Sequence, residues 1–462
     1  MPIMHMNRDR LYGRRIWLVI AAGALLVSAC NTDRFLKATD PDNTPPGALK
    51  GQSSLPGYRA SAIGDFGLAF DGNALNPDGN EYEGLVNMTG LLTDELQNSE
   101  TFPTRTEVDR RHTQVNNATM RDIFFNAHLA RVSAGRASGA FAAFGPDDPS
   151  RSEVVSLEAY SILLLAEDYC SGVPLSAIDT ATATVEFGQP MTTQALLGVA
   201  ADTFTSALTL AVDQDRHYLA EVGKARTLQS EGRSHLGDAA TLVADVPTDW
   251  TYKITHSRNS QREWNGVYEF MWLEGRWIEA DTEGVNGLRY RDDPRNPVSD
   301  VGSTFIGNNS VQFFGTLRYQ APDSSTVLAS GIEARLIEAE AALQANNNVL
   351  FLKKLNDLRD SSGLALAPLA DPGTIPARQD MLFSERGQWL YLTAHRLPDL
   401  RRLSRSAAND GYGRDPETVF PTGSWFRGGV YGPDVNFPIP IEELNNSNVT
   451  GPAPNTCIDR NP

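Results

Sequence analysis

The chain has 462 residues, 21% of them charged, and a formal net charge of −17. An acidic protein is unsuited to nucleic acid, whose phosphates require basic surfaces, and it gains nothing electrostatically from anionic lipid. The length allows one large domain or two or three ordinary ones. We therefore expect a globular protein that binds neither nucleic acid nor a membrane surface by charge.

The first 29 residues have the three parts of a secretory signal peptide. Four arginines lie among residues 8–15, and fourteen uncharged residues run from Ile16 to Ala29. This run is shorter than the roughly 20 residues that span a bilayer, which favours a cleaved leader. Without residues 1–29, which hold four Arg and one Asp, the formal charge moves from −17 to −20.

Residues 26–30 read LVSAC and resemble the lipobox of bacterial lipoproteins. In that family the leader is removed and the cysteine carries acyl chains such as palmitate. The resemblance implies that Cys30 is the lipid attachment point and that the mature protein begins there. Several chains anchor firmly, because each buried CH₂ contributes about 0.8 kcal/mol. An uncleaved signal anchor with an incidental cysteine is the alternative.

Composition divides the mature chain into two parts. Residues 30–58 are rich in Asp, Thr, Pro, Gly and Ser, which predicts a lipidated flexible tether. Residues 59–462 carry mainly helical patterns and are predicted to form a single α-helical domain. The stretch at about 248–325 has no sustained period and is predicted to be an irregular, loop-rich insert. Residues 407–462 are likewise rich in Gly, Pro and Asn.

Two segments in the first half predict helices. In SEVVSLEAYSILLLAEDYC, Leu157, Tyr160 and Leu164 share a face, and Ser152 is available as the N-cap. The segment YLAEVGKARTLQSEGRSHLGDAATLVADVP is typical of a helical hairpin that ends at Pro247, with a degenerate tetratricopeptide pattern.

A second hairpin is predicted in the C-terminal half. GIEARLIEAEAAL places Ile332, Leu336, Ala339 and Leu343 on one stripe. VLFLKKLNDLRDSSGL follows with Phe351, Leu355 and Leu358, and Gly363 is predicted to be its C-cap. Helix pairs of this kind stack into a scaffold in which each pair covers the apolar face of its neighbour.

Sequence signatures of catalysis are absent. The chain has no GxSxG, HExxH, P-loop or GxGxxG motif, and its seven histidines lack metal-ligand spacing. We therefore predict a binding protein with no catalytic residue, no metal ligand and no cofactor. The alternative is a lipid-anchored surface glycan hydrolase, because paired carboxylates are brought together in space rather than in sequence.

Two C-terminal segments resemble a known family. ERGQWLYLTAHRLPDLRRL, residues 385–403, is similar to a signature in which Glu-Arg opens a helix and His-Arg-x-x-Asp-Leu-Arg-Arg closes it. NFPIPIEELNNSNV, residues 436–449, is similar to the Phe-Pro-Ile-Pro strand and Asn-rich tail of the same family. Upstream, GLLTDELQNSETFPTRTEVDRR and LLLAEDYCSGVP occur in the expected order. The chain resembles the SusD/RagB family of outer-membrane nutrient-binding lipoproteins over residues 85–449.

The resemblance implies a mainly α fold, a tetratricopeptide-like helical-hairpin scaffold with long irregular loop insertions and little β structure. It implies a SusC-like TonB-dependent outer-membrane transporter as partner, and a glycan or peptide as ligand. It also implies an outer-membrane location at the cell surface, held by the lipid anchor only. The family's ligand loops vary, so the resemblance does not identify ligand-binding residues.

The signature itself contains many charged side chains: Glu385, Arg386, His395, Arg396, Asp399, Arg401 and Arg402. Their density is compatible with a catalytic cluster. However, Arg396 lies three residues before Asp399, a spacing typical of ion pairs on one helix. We interpret the group as structural ion pairs.

Six aromatic residues fall within the predicted insert: Trp250, Tyr252, Trp264, Tyr268, Trp272 and Trp277. Such rings stack on sugar rings or peptide side chains, which makes them candidate ligand-binding residues. Because Trp264, Tyr268 and Trp272 repeat every four residues, the buried face of a short helix is the favoured alternative.

Cys170 and Cys457 are the cysteines that remain beside Cys30. Exported proteins meet oxidising conditions, so a bridge is predicted that fastens the Pro-rich tail to the helical frame. Closing so long a loop contributes about 4 to 5 kcal/mol in the loop-entropy model. The alternative is a buried Cys170 and a reduced, disordered Cys457.

Overall fold

The computed structural model describes residues 51–74, 81–179, 184–283, 287–303, 312–449 and 456–461. The predicted leader, Cys30 and most of the predicted tether lie outside these residues. From Leu55 to Pro462 the chain forms one compact unit. Within the described ranges, no helix is both long enough and apolar enough to cross a membrane.

The domain begins earlier than the composition predicted. A 3₁₀ turn spans Gln52–Ser54, and helix α1, Leu55–Phe70, already includes the last four residues of the predicted tether. Leu55 is buried, which ties this end of the helix to the core. Pro56 is compatible with the first turn because N–H groups there have no intrahelical partner. The compact unit therefore begins at Leu55, four residues before the predicted start at residue 59.

Helices account for most of the regular structure in the described residues. They are α1 Leu55–Phe70, α2 Leu85–Leu92, α3 Pro103–Asp109, α4 Ala118–Phe144, α5 Ser150–Asp168, α6 Thr193–Leu210, α7 Gln214–Glu231, α8 Leu236–Leu242, α9 Gly266–Tyr268, α10 Gly331–Gln344, α11 Asn348–Ser361, α12 Ile375–Trp389 and α13 Arg396–Ser404. A π-helical turn, Glu269–Leu273, extends α9.

The long helices pack in succession. Helix α1 packs on α4, α4 on α5, α5 on α6, α6 on α7 and α7 on α8, and the series continues through α10 to α11. Each helix therefore covers the apolar side of the next, as in tetratricopeptide-like stacks. The predicted fold class, mainly α with stacked helical hairpins, is confirmed.

Side-chain caps determine where several helices begin. Thr192, Asp213, Ser330 and Asn347 each accept a hydrogen bond from a backbone N–H in the first turn, a contribution of about 1 kcal/mol each. The predicted cap Ser152 was wrong, because α5 begins two residues earlier. The Ser152 hydroxyl instead donates to the carbonyl of Ala207 on α6, at 2.8 Å, and helps join the two helices.

The hairpin of α10 and α11 follows its predicted pattern. Leu336, Ala339 and Leu343 are buried on α10 and Ile332 is half-buried; Phe351, Leu355 and Leu358 are buried on α11. Gly363 follows the C-cap Ser362 with φ of 70°. This left-handed conformation costs glycine little, which explains why the helix ends there. The hairpin of α7 and α8 is also present.

Ten short strands form five two-stranded antiparallel sheets in the described residues. The pairs are β1 Leu96–Asn98 with β7 Trp277–Glu279, β2 Val173–Pro174 with β5 Pro190–Met191, β3 Ala177–Asp179 with β4 Thr184–Glu186, β6 Thr251–Ile254 with β10 Thr326–Ser330, and β8 Val298–Ser303 with β9 Gln312–Thr316. Little β structure was expected, and this is confirmed.

The insert at 248–325 is more ordered than predicted. It holds β6 to β9 and α9, and β6 pairs with β10 just beyond its end. These elements are three to six residues long. Segments that short cannot show a sustained alternation of apolar and polar residues, so the sequence pattern did not reveal them.

The signature segment is two helices rather than one. Helix α12 ends at Trp389 and α13 starts at Arg396, and the turn between them holds Leu392 and Ala394 at φ of 51° and 56°. Side chains from distant parts of the chain donate hydrogen bonds to backbone carbonyls of this turn. Tyr319 Oη donates to the carbonyl of Leu392 at 2.8 Å, and Arg226 Nη2 donates to that of Ala394 at 2.7 Å. These tertiary contacts hold conformations that non-glycine residues rarely adopt.

The signature charges form a buried ion-pair lattice, here defined as Arg386, Asp399, Arg402 and Glu340. Asp399 lies 2.7 Å from both Arg386 and Arg402, and Arg402 lies 2.5 Å from Glu340. Burial alone would raise the pKa of Asp399, but the two guanidinium groups outweigh it and hold that pKa well below the usual range. Arg386, Asp399 and Arg402 of the signature are thus ion-paired as interpreted, whereas Arg401 donates to the backbone carbonyls of Ala166 and Glu167.

One predicted pair was wrong. Arg396 does not pair with Asp399, because at the first position of α13 its side chain reaches Glu283 of the insert at 2.8 Å. Glu385 binds Arg295 of the insert and Arg359 of α11, at 2.8 and 2.6 Å. The pairs therefore connect α12 and α13 to other elements rather than to each other alone.

Glu95 joins the turn after α12 to strand β1. It is fully buried, and its Oε1 accepts a hydrogen bond from the backbone N–H of Leu392 at 2.9 Å. Burial raises its pKa to about 8. The folded protein therefore keeps Glu95 protonated at pH values where the unfolded chain, with a pKa near 4.5, has lost that proton.

We predict that Glu95→Gln flattens the pH dependence of stability. Between about pH 5 and 8 the folded state binds one more proton at this site than the unfolded state. The free energy of unfolding therefore falls with rising pH, by roughly 1 kcal/mol per unit. Urea unfolding at pH 5.5, 7 and 8.5 measures the slope. The exposed Glu442→Gln is the control and should leave it unchanged; an equal slope for Glu95→Gln would contradict the assignment.

The C-terminal tail lies against the end of α5. Cys170 and Cys457 are disulfide-bonded in the structure, with Cα atoms 5.8 Å apart. Backbone hydrogen bonds of 3.0 and 2.8 Å join Ser171 to Asp459 and Ile458 to Ser171. The tail thus has two kinds of attachment to the helical frame.

The bridge predicts no free thiols at these positions. Cys30→Ser protein, denatured without reductant, should give no reaction with a thiol reagent, because the other two cysteines are paired. After reduction it should give two thiols per chain. Two thiols before reduction would show that the bridge does not form.

Candidate functional site

The six aromatic residues predicted as a possible platform do not lie together. Trp250 contacts Tyr218, Trp272 contacts Phe313, Trp277 contacts Phe270, and Trp264 contacts Tyr268, with ring centroids 5.6 to 6.3 Å apart. Tyr252 donates its hydroxyl to Glu153 at 2.9 Å. None of the six is exposed, and Trp277 is fully buried. For Trp250, Tyr252, Trp272 and Trp277, which belong to the core or pack against it, this arrangement favours the alternative of core packing.

A different aromatic ring, Phe102, stands on the surface. It is 52% exposed and is the N-cap residue of α3, with Pro103 at the first helical position. Proline there suits the helix start, because its φ is already helical. Just before it, Ser99 donates its backbone N–H to the carbonyl of Arg276 at 2.9 Å and its hydroxyl to that of Gly275 at 2.6 Å. The pairing of β1 with β7 thereby extends to the base of the Phe102 loop.

Two guanidinium groups support this ring. The Cζ atoms of Arg105 and Arg276 lie 5.1 and 5.6 Å from the centroid of Phe102. Both arginines also contact the buried ring of Phe270. Cation–π contacts of this kind contribute about 0.5–2 kcal/mol and restrict the ring's position.

Carboxylates hold the guanidinium groups in place. Arg276 pairs with Glu81 and Glu274 at 2.6 and 2.5 Å, and Arg105 pairs with Glu83. Glu100, fully buried, lies 3.4 and 3.5 Å from the two arginines, and burial raises its pKa to about 7. The ring therefore sits above a network of acceptors and donors with fixed positions.

A second loop completes the surface. Residues 423–429 read GSWFRGG; Phe426 is 40% exposed, and its ring packs on Trp425 at 5.0 Å. The indole N–H of Trp425 donates to Asp109 at 2.9 Å, and Arg427 donates to the backbone carbonyls of Asn98 and Glu100. These bonds fasten the second loop to the strand and loop that carry Phe102.

We call this region the Phe102 surface. It comprises Phe102, Arg105, Arg110, Arg276, Trp425, Phe426 and Arg427, and Arg110 is a member because its guanidinium lies 5.6 Å from the ring of Trp425. The surface combines two exposed apolar rings with guanidinium groups and nearby carboxylates. Such a combination binds flat, hydroxyl-rich molecules, because rings cover C–H faces while charged groups accept and donate hydrogen bonds. Among the described residues, no group of three or more His, Cys, Asp or Glu side chains is arranged to hold a metal ion.

No sequence pattern identified these residues. A lone Phe before a proline has no periodic signal of exposure, and more than 300 residues separate Phe102 from Phe426. The one available signal was the run of Trp, Phe and Arg between glycines at 423–429. Large rings in a glycine-rich loop have little local structure to bury them.

Solved structures match this chain along nearly their whole length. A SusD superfamily protein from Parabacteroides distasonis has a TM-score of 0.65 and 14% identity, covering 88% of this chain and 100% of that chain. One from Bacteroides vulgatus has a TM-score of 0.59 and 14% identity, covering 86% and 97%. A SusD-like carbohydrate binding protein from Bacteroides fragilis has a TM-score of 0.58 and 14% identity, covering 85% and 98%. The chain has the SusD fold. No protein-family model and no curated protein matches the sequence.

Within this SusD fold, the Phe102 surface is built from connecting segments. Its residues come from the β1–α3 loop, α3 and its C-cap, the segment before β7 and the 423–429 loop, and none lies on the long helices α4 to α7. Loops placed by a rigid helical frame are where binding residues concentrate. The position of the surface therefore agrees with a recognition role.

Proposed function

We propose that the protein is a member of the SusD/RagB family that captures a glycan at the Phe102 surface. The observation that carries the proposal is the pair of exposed rings, of which Phe102 lies against Arg105 and Arg276 and Phe426 packs on Trp425. Monosaccharide rings present C–H faces that stack on aromatic rings, and their hydroxyl groups pair with guanidinium groups and carboxylates. One structurally similar protein is described as carbohydrate-binding, which agrees with this choice over a peptide.

The same proposal covers location and partner. The LVSAC sequence supports acylation of Cys30 in the outer membrane, where the lipid is the membrane attachment. The family resemblance supports delivery of the glycan to a SusC-like TonB-dependent transporter. We infer binding rather than catalysis, because carboxylates beside the Phe102 surface are paired with its arginines: Glu83 with Arg105, and Glu81 and Glu274 with Arg276.

We predict that Phe102→Ala and Phe426→Ala each weaken glycan binding about tenfold, because each removes a stacking face. A glycan array with the full chain in mild detergent identifies the ligand, and calorimetry then measures the affinity of each variant.

Phe125→Ala and Phe144→Ala are the matched controls. Both rings are exposed, at 65% and 43%, but they lie on α4. They should bind the glycan as the unmodified protein does. Equal affinity for all four variants would contradict the assignment of the site, a peptide ligand would contradict the glycan class, and release of cleaved glycan would favour the hydrolase.

We also predict a barrel partner. Purification in mild detergent from cells that express both proteins should recover a TonB-dependent transporter in near-equal amount. The experiment needs no ligand, so it tests the partner independently of the Phe102 surface. A monodisperse lipoprotein without a barrel would contradict this part of the proposal.

A further inference from the structure

A separate cavity lies between the β6–β10 sheet, the start of α10 and the turn after α12. Its volume is about 190 Å³, and it has no residue in common with the Phe102 surface. The walls are largely apolar: Val327, Leu328, Ile332, Leu364, Trp389 and Leu390. A cavity of about 150 Å³ is enough to hold a benzene ring, so this one has room for a small organic molecule. Leu364 is 41% exposed, so it lies where the cavity meets solvent.

One wall presents a buried carboxylate with no donor. Glu333 is 1% exposed, and neither carboxylate oxygen has a hydrogen-bond donor among the described residues. The backbone N–H of Glu333 donates to Oγ of Ser330, the N-cap residue of α10, at 3.1 Å. A buried carboxylate without a donor is costly, which indicates that a bound group supplies one.

His395 does not supply the donor, although its Nε2 lies 3.0 Å from Glu333 Oε1. The other nitrogen, Nδ1, lies 2.8 Å from the carbonyl of Thr393, which can only accept, so Nδ1 carries the proton. Arg226 Nη1, at 2.9 Å, donates to Nε2. Because Nε2 accepts from Arg226, it does not offer an N–H to Glu333.

Arg318 also lines the cavity and lacks a carboxylate partner in the described residues. Its Nη1 and Nη2 donate to the backbone carbonyls of Tyr391 and Arg295, at 3.4 and 3.2 Å, while its Nε is buried without an acceptor. The nearby carboxyl groups of Glu95 and Glu279 are largely protonated at neutral pH, because burial raises the pKa of each to about 8. The guanidinium charge is therefore not neutralised by an adjacent anion.

We propose that this cavity binds a small zwitterion with an apolar side chain, of the class of free apolar α-amino acids. The ammonium group donates to Glu333, and the carboxylate accepts from Arg318. The side chain packs on the apolar walls around Ile332 and Leu364. This site is independent of the glycan proposed for the Phe102 surface.

Calorimetric titration of the full chain in mild detergent with L-leucine tests the proposal. Leucinamide lacks the carboxylate and 4-methylpentanoate lacks the ammonium group, so each should bind at least tenfold more weakly than L-leucine. Glu333→Gln should weaken L-leucine about tenfold while leaving 4-methylpentanoate unchanged. Leu364→Trp should abolish binding, because it fills the mouth without altering the polar groups.

Leu350→Trp, on the exposed start of α11, is the matched control and should bind L-leucine normally. The proposal is overturned if the folded protein does not bind millimolar L-leucine, or if binding persists in Leu364→Trp. It is also overturned if the two analogues bind as well as L-leucine, or if D-glucose competes for the cavity, which would indicate a hydroxyl ligand. Circular dichroism shows whether Glu333→Gln folds. If it does not fold, the binding of the two analogues and of the Leu364→Trp variant still tests the proposal.

Discussion

The buried ion-pair lattice of Arg386, Asp399, Arg402 and Glu340 is the constraint on which much of this structure depends. Charges removed from water destabilise a protein unless each finds a partner, and removing one partner of a buried pair costs about 3–5 kcal/mol. The lattice meets this condition only when α10, α12 and α13 are correctly placed together. It therefore favours one arrangement of these helices over other compact arrangements.

From this lattice a continuous path of contacts leads to the Phe102 surface. The turn between α12 and α13 donates to Glu95 through Leu392, and Glu95 directly precedes strand β1. Strand β1 pairs with β7, and the same edge holds Ser99 against Gly275 and Arg276. The exposed ring of Phe102 is three residues further on. Its position therefore depends on contacts made far from the surface.

The same turn also forms part of the cavity. His395 and Thr393 lie at its end and hold each other through Nδ1, while Arg226 of α7 reaches both His395 and the carbonyl of Ala394. The donors and acceptors of this turn are engaged in these contacts. The turn therefore supplies no hydrogen-bond donor to Glu333. The buried network around His395 is thus satisfied while the carboxylate beside it is not, and an unsatisfied buried polar group is costly.

Local pattern in the sequence determined the helices of the α10–α11 hairpin, the glycine that ends it, and the mainly α class, because helical period and capping depend on residues within a few turns. The sequence also indicated ion pairs among the charges at 385–402, although Arg396 pairs with Glu283 rather than with Asp399. Tertiary structure alone decided which aromatic rings remain exposed. Four of the six rings clustered in sequence became core contacts, whereas the loops that carry Phe102 and Phe426 came together. Exposure and long-range proximity are properties of the packed chain, and no local pattern encodes them.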